Sequence, residues 1–166
     1  MAELIDDILE LSRVTSGKPE RKEVDMSAIT NSIAKRLEKD NGKVKWKIQQ
    51  NIKARGDAQL LKLLMENLLI NAVKFSSQNS NPMIEFGLTN IDNQYTYFVR
   101  DNGIGFKIDY AEKIFGVFHR LHPNSAFEGT GIGLATVNRI INRHNGKVWA
   151  QGKENMGATF YFTLPD

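Results

Sequence analysis

The sequence predicts an α/β protein: a two-layer sandwich with helices on one face of a mixed β-sheet, preceded by a stub of helix. Three observations predict it. Helical and strand periodicities mix without regular alternation, and adjacent strands are joined by tight turns. At 166 residues, 41% hydrophobic and 25% charged, the chain also suits one domain with a real core.

In chain order, AELIDDILELSRV spaces Leu4, Ile5, Ile8, Leu9 and Leu11 as one helical stripe with acids opposite. A lone helix of that length is marginal in water, so this one needs a partner. It stops before Ser16-Gly17-Lys18-Pro19. A short extended piece from Val24 leads to Ser27, the expected N-cap of a helix to about Glu38, which ends at Asp40-Asn41-Gly42. KVKWKIQQ alternates Lys43, Lys45 and Lys47 with Val44, Trp46 and Ile48, as a half-buried strand does. Gly56-Asp57 turns the chain and caps a long apolar helix, about Ala58 to Phe75. After the polar loop SSQNSNP come two strands, MIEFGLT and QYTYFVRD, turned at Asp92-Asn93. A glycine-bearing loop, DNGIGF, short helical pieces and a polar loop lead to a helix from Ile132 to His144. Lys147 to Gln151 and Ala158 to Leu164 read as two closing strands around a turn at Asn155-Met156-Gly157.

Composition narrows the chemistry. Cysteine is absent, which excludes disulfides and thiolate metal sites and suits a reducing, cytoplasmic compartment. No run of about eighteen apolar residues exists to span a membrane, and the first residues, lacking a basic-then-apolar leader, read as the tail of something longer. The formal net charge is +3, with bases gathered between Lys35 and Arg55 and four acids between Met1 and Glu10. Both stretches read as solvated faces, a docking surface being the alternative. His119 and His122 are spaced i, i+3, but no third ligand accompanies them, so zinc is disfavoured.

Three stretches could carry chemistry. In MENLLINAVKFS, Asn67, Asn71 and Lys74 stand at i, i+4 and i+7 on a helix otherwise rich in Leu68, Leu69, Ala72 and Val73. That polar stripe is either a solvent edge or a ligand face, where amide oxygens suit magnesium and a lysine suits phosphate. In VRDNGIG, Asp101 ends a strand, and Gly103 and Gly105 would let backbone approach a flat ligand; a plain Asp-Asn-Gly turn is the alternative. In EGTGIGLATVNRIINRHNG, Gly129, Thr130, Gly131 and Gly133 open a helix, where backbone N–H groups and the helix dipole favour phosphate. This glycine spacing fits neither G-x-G-x-x-G nor a loop ending in G-K-[ST].

Taken together and in order, these motifs resemble the ATP-binding catalytic domain of sensor histidine kinases, in the superfamily shared with DNA gyrase, a mismatch-repair protein and a heat-shock chaperone. NLLINAVKF is similar to its N box, DNGIGF to its first glycine box, IFGVFHRL to its F box, GTGIGLATV to its second glycine box, and GATFYFTLP to its closing strand. The resemblance covers roughly Val24 to Pro165, and RLHPNSAFEGTGIGLA looks closest to phytochrome-type and PAS-linked kinases. It implies a Bergerat-type ATP-binding fold, with residues 1–15 as a remnant of the second helix of a dimerisation and phosphoacceptor hairpin, 16–23 as linker and 24–166 as catalytic domain. ATP and Mg2+ are the implied cofactors.

The resemblance also assigns residues. Asn71 is the implied principal magnesium ligand, with Asn67 near the metal and phosphates and Lys74 reaching the phosphate chain. Asp101 would accept from the adenine amino group, supported by Thr159 through water, while Phe75 and Ile108 wall the base. Gly103 and Gly105 belong to the first glycine box, and Gly129, Thr130, Gly131, Ile132, Gly133 and Leu134 to the second. Phe115 and Phe118 would anchor a lid of about His119 to Gly129, and Arg120 would approach the terminal phosphate. Asn67, Lys74 and Arg120 are thus the implied catalytic set.

ATPase members of the superfamily place a glutamate one turn before the magnesium asparagine as general base. Here that position is Asn67, and Glu66 points about a hundred degrees away. Hydrolysis is disfavoured, and phosphoryl transfer to an external nucleophile remains. The implied function is transfer of the γ-phosphoryl group to a histidine on a segment missing from this chain; a degenerate, non-catalytic nucleotide-binding module and a hydrolytic ATPase are the alternatives. The implied partners are the phosphoacceptor hairpin of the parent kinase and a response-regulator receiver domain, with no nucleic acid and no direct membrane contact. The parent would be a homodimer, and this chain a monomer or weak dimer.

Overall fold

The computed structural model describes residues 18–106, 114–115 and 133–165, together with Ile5, Leu9 and Ser12, which are helical and exposed. Strand β1 (Arg21–Asp25) runs directly into α1 (Met26–Glu38). The cap is Asp25, whose Oδ1 accepts from the Ala28 N–H at 2.9 Å. The expected cap, Ser27, lies inside the first turn and is buried. Its hydroxyl donates to the Gln49 carbonyl at 2.6 Å and accepts from the Ile52 N–H at 2.9 Å. It pins the next bend instead of starting the helix.

Strand β2 (Lys45–Ile48) forms as the lysine alternation predicts, with Trp46 and Ile48 half-buried. The strand β3 (Lys53–Asp57) is not foreseen by the pattern; it pairs antiparallel with β1 in a separate two-stranded sheet. Its buried positions are Ala54 and Gly56, so it lacks the β-branched and aromatic residues by which strands are recognised. Packing explains the glycine: a Cβ at position 56 would come within 2.8 Å of Leu61 and 2.9 Å of His144.

Helix α2 (Ala58–Ser76) starts on Asp57, as expected. Strands β4 (Met83–Ile91) and β5 (Gln94–Asp101) form a hairpin whose two turn residues, Asp92 and Asn93, both have positive φ, as a tight hairpin turn requires. Helix α3 (Gly133–Arg143), β6 (Val148–Gly152) and β7 (Ala158–Phe162) complete the described elements. The main sheet has the order β2-β4-β5-β7-β6, with β2 parallel to β4 and every other pairing antiparallel. This is the mixed sheet with helices on it that the sequence predicts.

The core lies between sheet and helices. Leu61, Leu64, Leu68, Leu69 and Val73 of α2 meet Ile84, Phe86, Val99, Phe160 and Phe162 of the sheet and Val137, Ile140 and Ile141 of α3, all buried. Each such side chain contributes about 1.5–3 kcal/mol by leaving water. Register sets the two faces of the sheet. Tyr97, Val99 and Asp101 oppose Phe162, Phe160 and Ala158 on the helix side, whereas Phe98 and Arg100 oppose Tyr161 and Thr159 on the other. His144 joins α3 to the start of α2: Nδ1 lies 2.8 Å from the Ile140 carbonyl, and Nε2 accepts from the Asp57 N–H at 3.0 Å.

Candidate functional site

The last turns of α2 carry Asn67, Asn71, Lys74 and Phe75, all half-buried, beside the buried Leu68, Leu69, Ala72 and Val73. Asn67, the first residue of that stripe, lies on the side of α2 that α3 adjoins. Asn67 Nδ2 donates to the Leu63 carbonyl at 2.9 Å. Its Oδ1 faces the start of α3, since a Cβ at Gly133 would stand only 3.0 Å from that oxygen. A helix N-terminus thus opens against an amide oxygen, with Leu134 buried behind it. Oxygen donors of this kind fit Mg2+, which takes one or two protein ligands and completes its shell with water and phosphate. Among the described residues, no cluster of three or more His, Cys, Asp or Glu side chains offers a different metal site.

Asp101 ends β5 on the helix side and is 5% exposed. Burial pushes its carboxyl up to about 6, against hydrogen bonds from the backbone amides of Gly103 and Ala158. The Gly103 N–H donates to Oδ1 at 2.8 Å. A carboxylate has about four acceptor positions, so these two donors leave capacity for another.

The two glycines of the following loop serve packing within the protein. A Cβ at Gly103 would lie 2.1 Å from the Phe75 carbonyl oxygen, and one at Gly105, which has φ +64, would lie 2.0 Å from that of Lys153. Between them, the Ile104 N–H donates to the Phe75 carbonyl at 2.9 Å, and the Ile104 carbonyl accepts from the Asn155 N–H at 2.7 Å. The loop is threaded between the end of α2 and the β6–β7 turn. Its glycines make room for backbone on both sides, a demand distinct from the close ligand approach expected of them.

Thr159 corrects an expectation. It stands opposite Arg100 on the other face of the sheet, where its Oγ1 accepts from Arg100 Nε at 3.3 Å. The residue opposite Asp101 is Ala158. Strand alternation decides this, and only the pairing register reveals which residue of β7 meets Asp101. Phe115 packs its ring edge-on against the core Phe160 at 6.2 Å, next to the buried Ile114. Ile108, Phe118, Arg120, Gly129, Thr130, Gly131 and Ile132 lie outside the described residues, as do His119 and His122.

Residues 56–166 match the family model described as "Histidine kinase-, DNA gyrase B-, and HSP90-like ATPase". Cyanobacterial phytochrome A from Nostoc sp. (strain PCC 7120 / SAG 25.82 / UTEX 2576) is 36% identical over 178 residues, an alignment covering 99% of this chain and 22% of that protein. The methanogenesis regulatory histidine kinase FilI from Methanothrix harundinacea (strain 6Ac) is 41% identical over 113 residues, 68% of this chain and 12% of that one. The chain thus spans a quarter or less of the length of these two relatives. Among solved structures, full-length ShkA in complex with AMPPNP superposes with a TM-score of 0.76 at 25% identity, covering 96% of this chain and 34% of that one.

Proposed function

The chain belongs to the family of histidine kinase-, DNA gyrase B-, and HSP90-like ATPases, and on that premise we propose that it is the Mg–ATP-binding catalytic domain of a sensor histidine kinase. The observation that carries the reading is Asp101: a buried carboxylate with its carboxyl pushed up to about 6, at a strand end whose following loop packs on the end of α2 at Phe75. A buried acceptor of this kind suits the exocyclic amino group of adenine. Phe75, half-buried at the end of α2, lies next to the loop that follows Asp101 and suits one wall for the base.

Phosphates then belong between α2 and the N-terminus of α3, where Asn67 and Gly133 meet. Asn71 and Asn67 would hold Mg2+, which when bound neutralises charge on the phosphate oxygens, and Lys74 would reach the phosphate chain. Glu66 lies on another side of α2, 3.6 Å from Arg36 Nη1. Asn67 cannot take a proton from water, so the position one turn before Asn71 offers hydrolysis no general base. The reading is therefore transfer: a histidine imidazole nitrogen bonds to the γ-phosphorus as the bond to the bridging oxygen breaks and ADP departs. The acceptor imidazole would belong to a hairpin of the parent kinase, a homodimer whose catalytic domain works in the cytoplasm and which passes the phosphoryl group on to a response-regulator receiver domain.

Calorimetric titration with ADP, with and without Mg2+, tests the site. Incubation with γ-labelled ATP then tests the chemistry: acid-labile, base-stable label should reach a separately made acceptor hairpin, while this chain alone stays unlabelled. Fast release of free phosphate in the absence of the hairpin would refute transfer in favour of hydrolysis.

A further inference from the structure

The loop that carries Asp101 is held by asparagine amides that the proposed chemistry does not use. Asn102 Oδ1 accepts from the Met83 N–H at 2.9 Å, and its Nδ2 donates to the Asn81 carbonyl at 2.9 Å. The Asn102 backbone carbonyl accepts from Asn79 Nδ2 at 2.8 Å, and Asn79 Oδ1 in turn accepts from the Asn81 N–H at 2.9 Å. The two ends of the Asn102 amide meet groups of opposite polarity, so its orientation is fixed; turning it over would set donor against donor and acceptor against acceptor.

This clamp stands between the two halves of the candidate site. Asn79 and Asn81 lie in the connection that leaves α2, the helix of Asn71, Lys74 and Phe75, and enters β4 at Met83. Asn102 lies between Asp101 and Gly103, whose N–H donates to the Asp101 carboxylate at 2.8 Å. The base reader and the phosphate-facing helix are thus tied by three bonds centred on one side-chain-bearing residue. A carboxylate that reads a single donor needs its direction held to about 10–20°, and Gly103, having no side chain, brings none to hold the loop with.

We infer that Asn102 is a positioning residue: through Asn79, Asn81 and Met83 it fixes the end of β5 to the end of α2 and so sets the angle at which Asp101 meets the amino group of a purine. The inference rests on the nucleotide reading above. It concerns discrimination between bases, not phosphate affinity. ADP and inosine diphosphate separate the two, because inosine places an acceptor where adenine places its amino donor, and the phosphates are identical.

The test is calorimetric titration of both nucleotides into the unmodified protein, Asn102→Ala and Asn79→Ala, with amide exchange at Gly103 measured in the ligand-free proteins. In Asn102→Ala the preference for ADP over inosine diphosphate should fall by about tenfold, with inosine diphosphate affinity itself within about threefold of the parent. Gly103 should exchange faster, and Asn79→Ala, which removes one of the three bonds at Asn102 together with the bond from the Asn81 N–H, should shift both readouts the same way by less. Should Asn102→Ala fail to fold, Asn79→Ala decides. An unchanged preference in a protein that binds ADP, or equal loss of both nucleotides, overturns the inference alone. An unmodified protein that binds neither nucleotide removes the functional premise and the inference with it.

Discussion

Three of the described strands end in aspartate, and the contrast between two of them, Asp57 and Asp101, separates a structural role from the proposed ligand-binding one. Asp57 ends β3 and caps α2: its oxygens accept from the Gln59, Leu60 and Glu20 amides at 3.0, 3.2 and 2.9 Å. Burial alone would raise its carboxyl, but those amides and the nearby His144 outweigh it, and the group sits below the usual range. Asp101 ends β5 and is followed by a glycine loop, so among the described residues it meets the Gly103 and Ala158 amides alone; burial wins, and the carboxyl rises to about 6. A helix after an aspartate supplies donors that satisfy it. A loop supplies fewer, and the carboxylate keeps its capacity for a ligand. Position at a strand end is common to both; the energetic imbalance singles out the one proposed to meet a ligand.

The largest effect should come from Asp101→Asn, which is expected to weaken ADP binding roughly 10–100-fold by removing a charge-assisted bond. The same change should stabilise the free protein. A folded pKa raised from 3.8 to about 6 means that the folded state binds the extra proton. The native contribution is therefore complete below pH 3.8 and lost as pH rises to 6, a difference of about 3 kcal/mol. Denaturant unfolding of both proteins should show coincident stabilities near pH 4 and a gain for the variant at pH 7. A variant that is less stable at pH 7 would break the contrast. ADP affinity of the unmodified protein should itself rise with pH through about 6.

Asp57→Ala should do the reverse, costing about 1–2 kcal/mol of stability as a lost helix cap while leaving ADP affinity near that of the parent. Its lowered carboxyl contributes above the ordinary value of 3.8 and is lost as pH falls below that, so the variant's deficit should shrink in acid. Comparable loss of ADP binding in this variant would show that the two ends of α2 are not separable.

His144 sharpens the picture at the supporting end. Burial holds its ring below the usual histidine range; the Ile140 carbonyl and Asp57 pull it back up, while Arg21 and Arg143 push it further down. The folded state refuses a proton that the unfolded chain accepts, so stability should be complete above pH 6.5 and decline as pH falls below it. The decline should be absent in His144→Gln, which loses about 1 kcal/mol at pH 7 through its altered hydrogen bonds. Unfolding curves at pH 5.5 and 7.5 measure it.

The smallest expected effect is informative for the same reason. Thr159→Val, on the sheet face away from Asp101, should change ADP affinity by no more than about twofold, as surface substitutions away from a site do. A larger loss would restore Thr159 to the site and contradict the register that pairs it with Arg100.

Periodicity, caps and turns made most of the fold legible in advance. Alternation placed Trp46 and Ile48 on one side of β2, Asp57 announced α2, and Asp92-Asn93 announced the β4–β5 turn. These are local signals, set by backbone sterics and by side chains reaching two or three residues. The strand β3 escaped because Ala54 and Gly56 carry no strand preference of their own; β1, Leu61 and His144 around them decide the matter. Ser27 was misplaced as a cap because its partners, Gln49 and Ile52, are distant in sequence.

For the site, the amino-acid sequence by itself determined which groups could bind: the Asn67, Asn71 and Lys74 stripe follows from helical spacing, and Asp101 from its place at a strand end. Tertiary structure alone decided which of them meet. Register turned Thr159 away and set Ala158 opposite Asp101, packing set Gly133 against Asn67, and the α2–β4 connection put Asn79 and Asn81 against Asn102. The physical reason is that burial, and with it the raised carboxyl of Asp101, is a property of everything packed around a residue. Spacing along a chain fixes direction within one element, whereas the partner across a sheet or between helices is fixed only when the whole core closes.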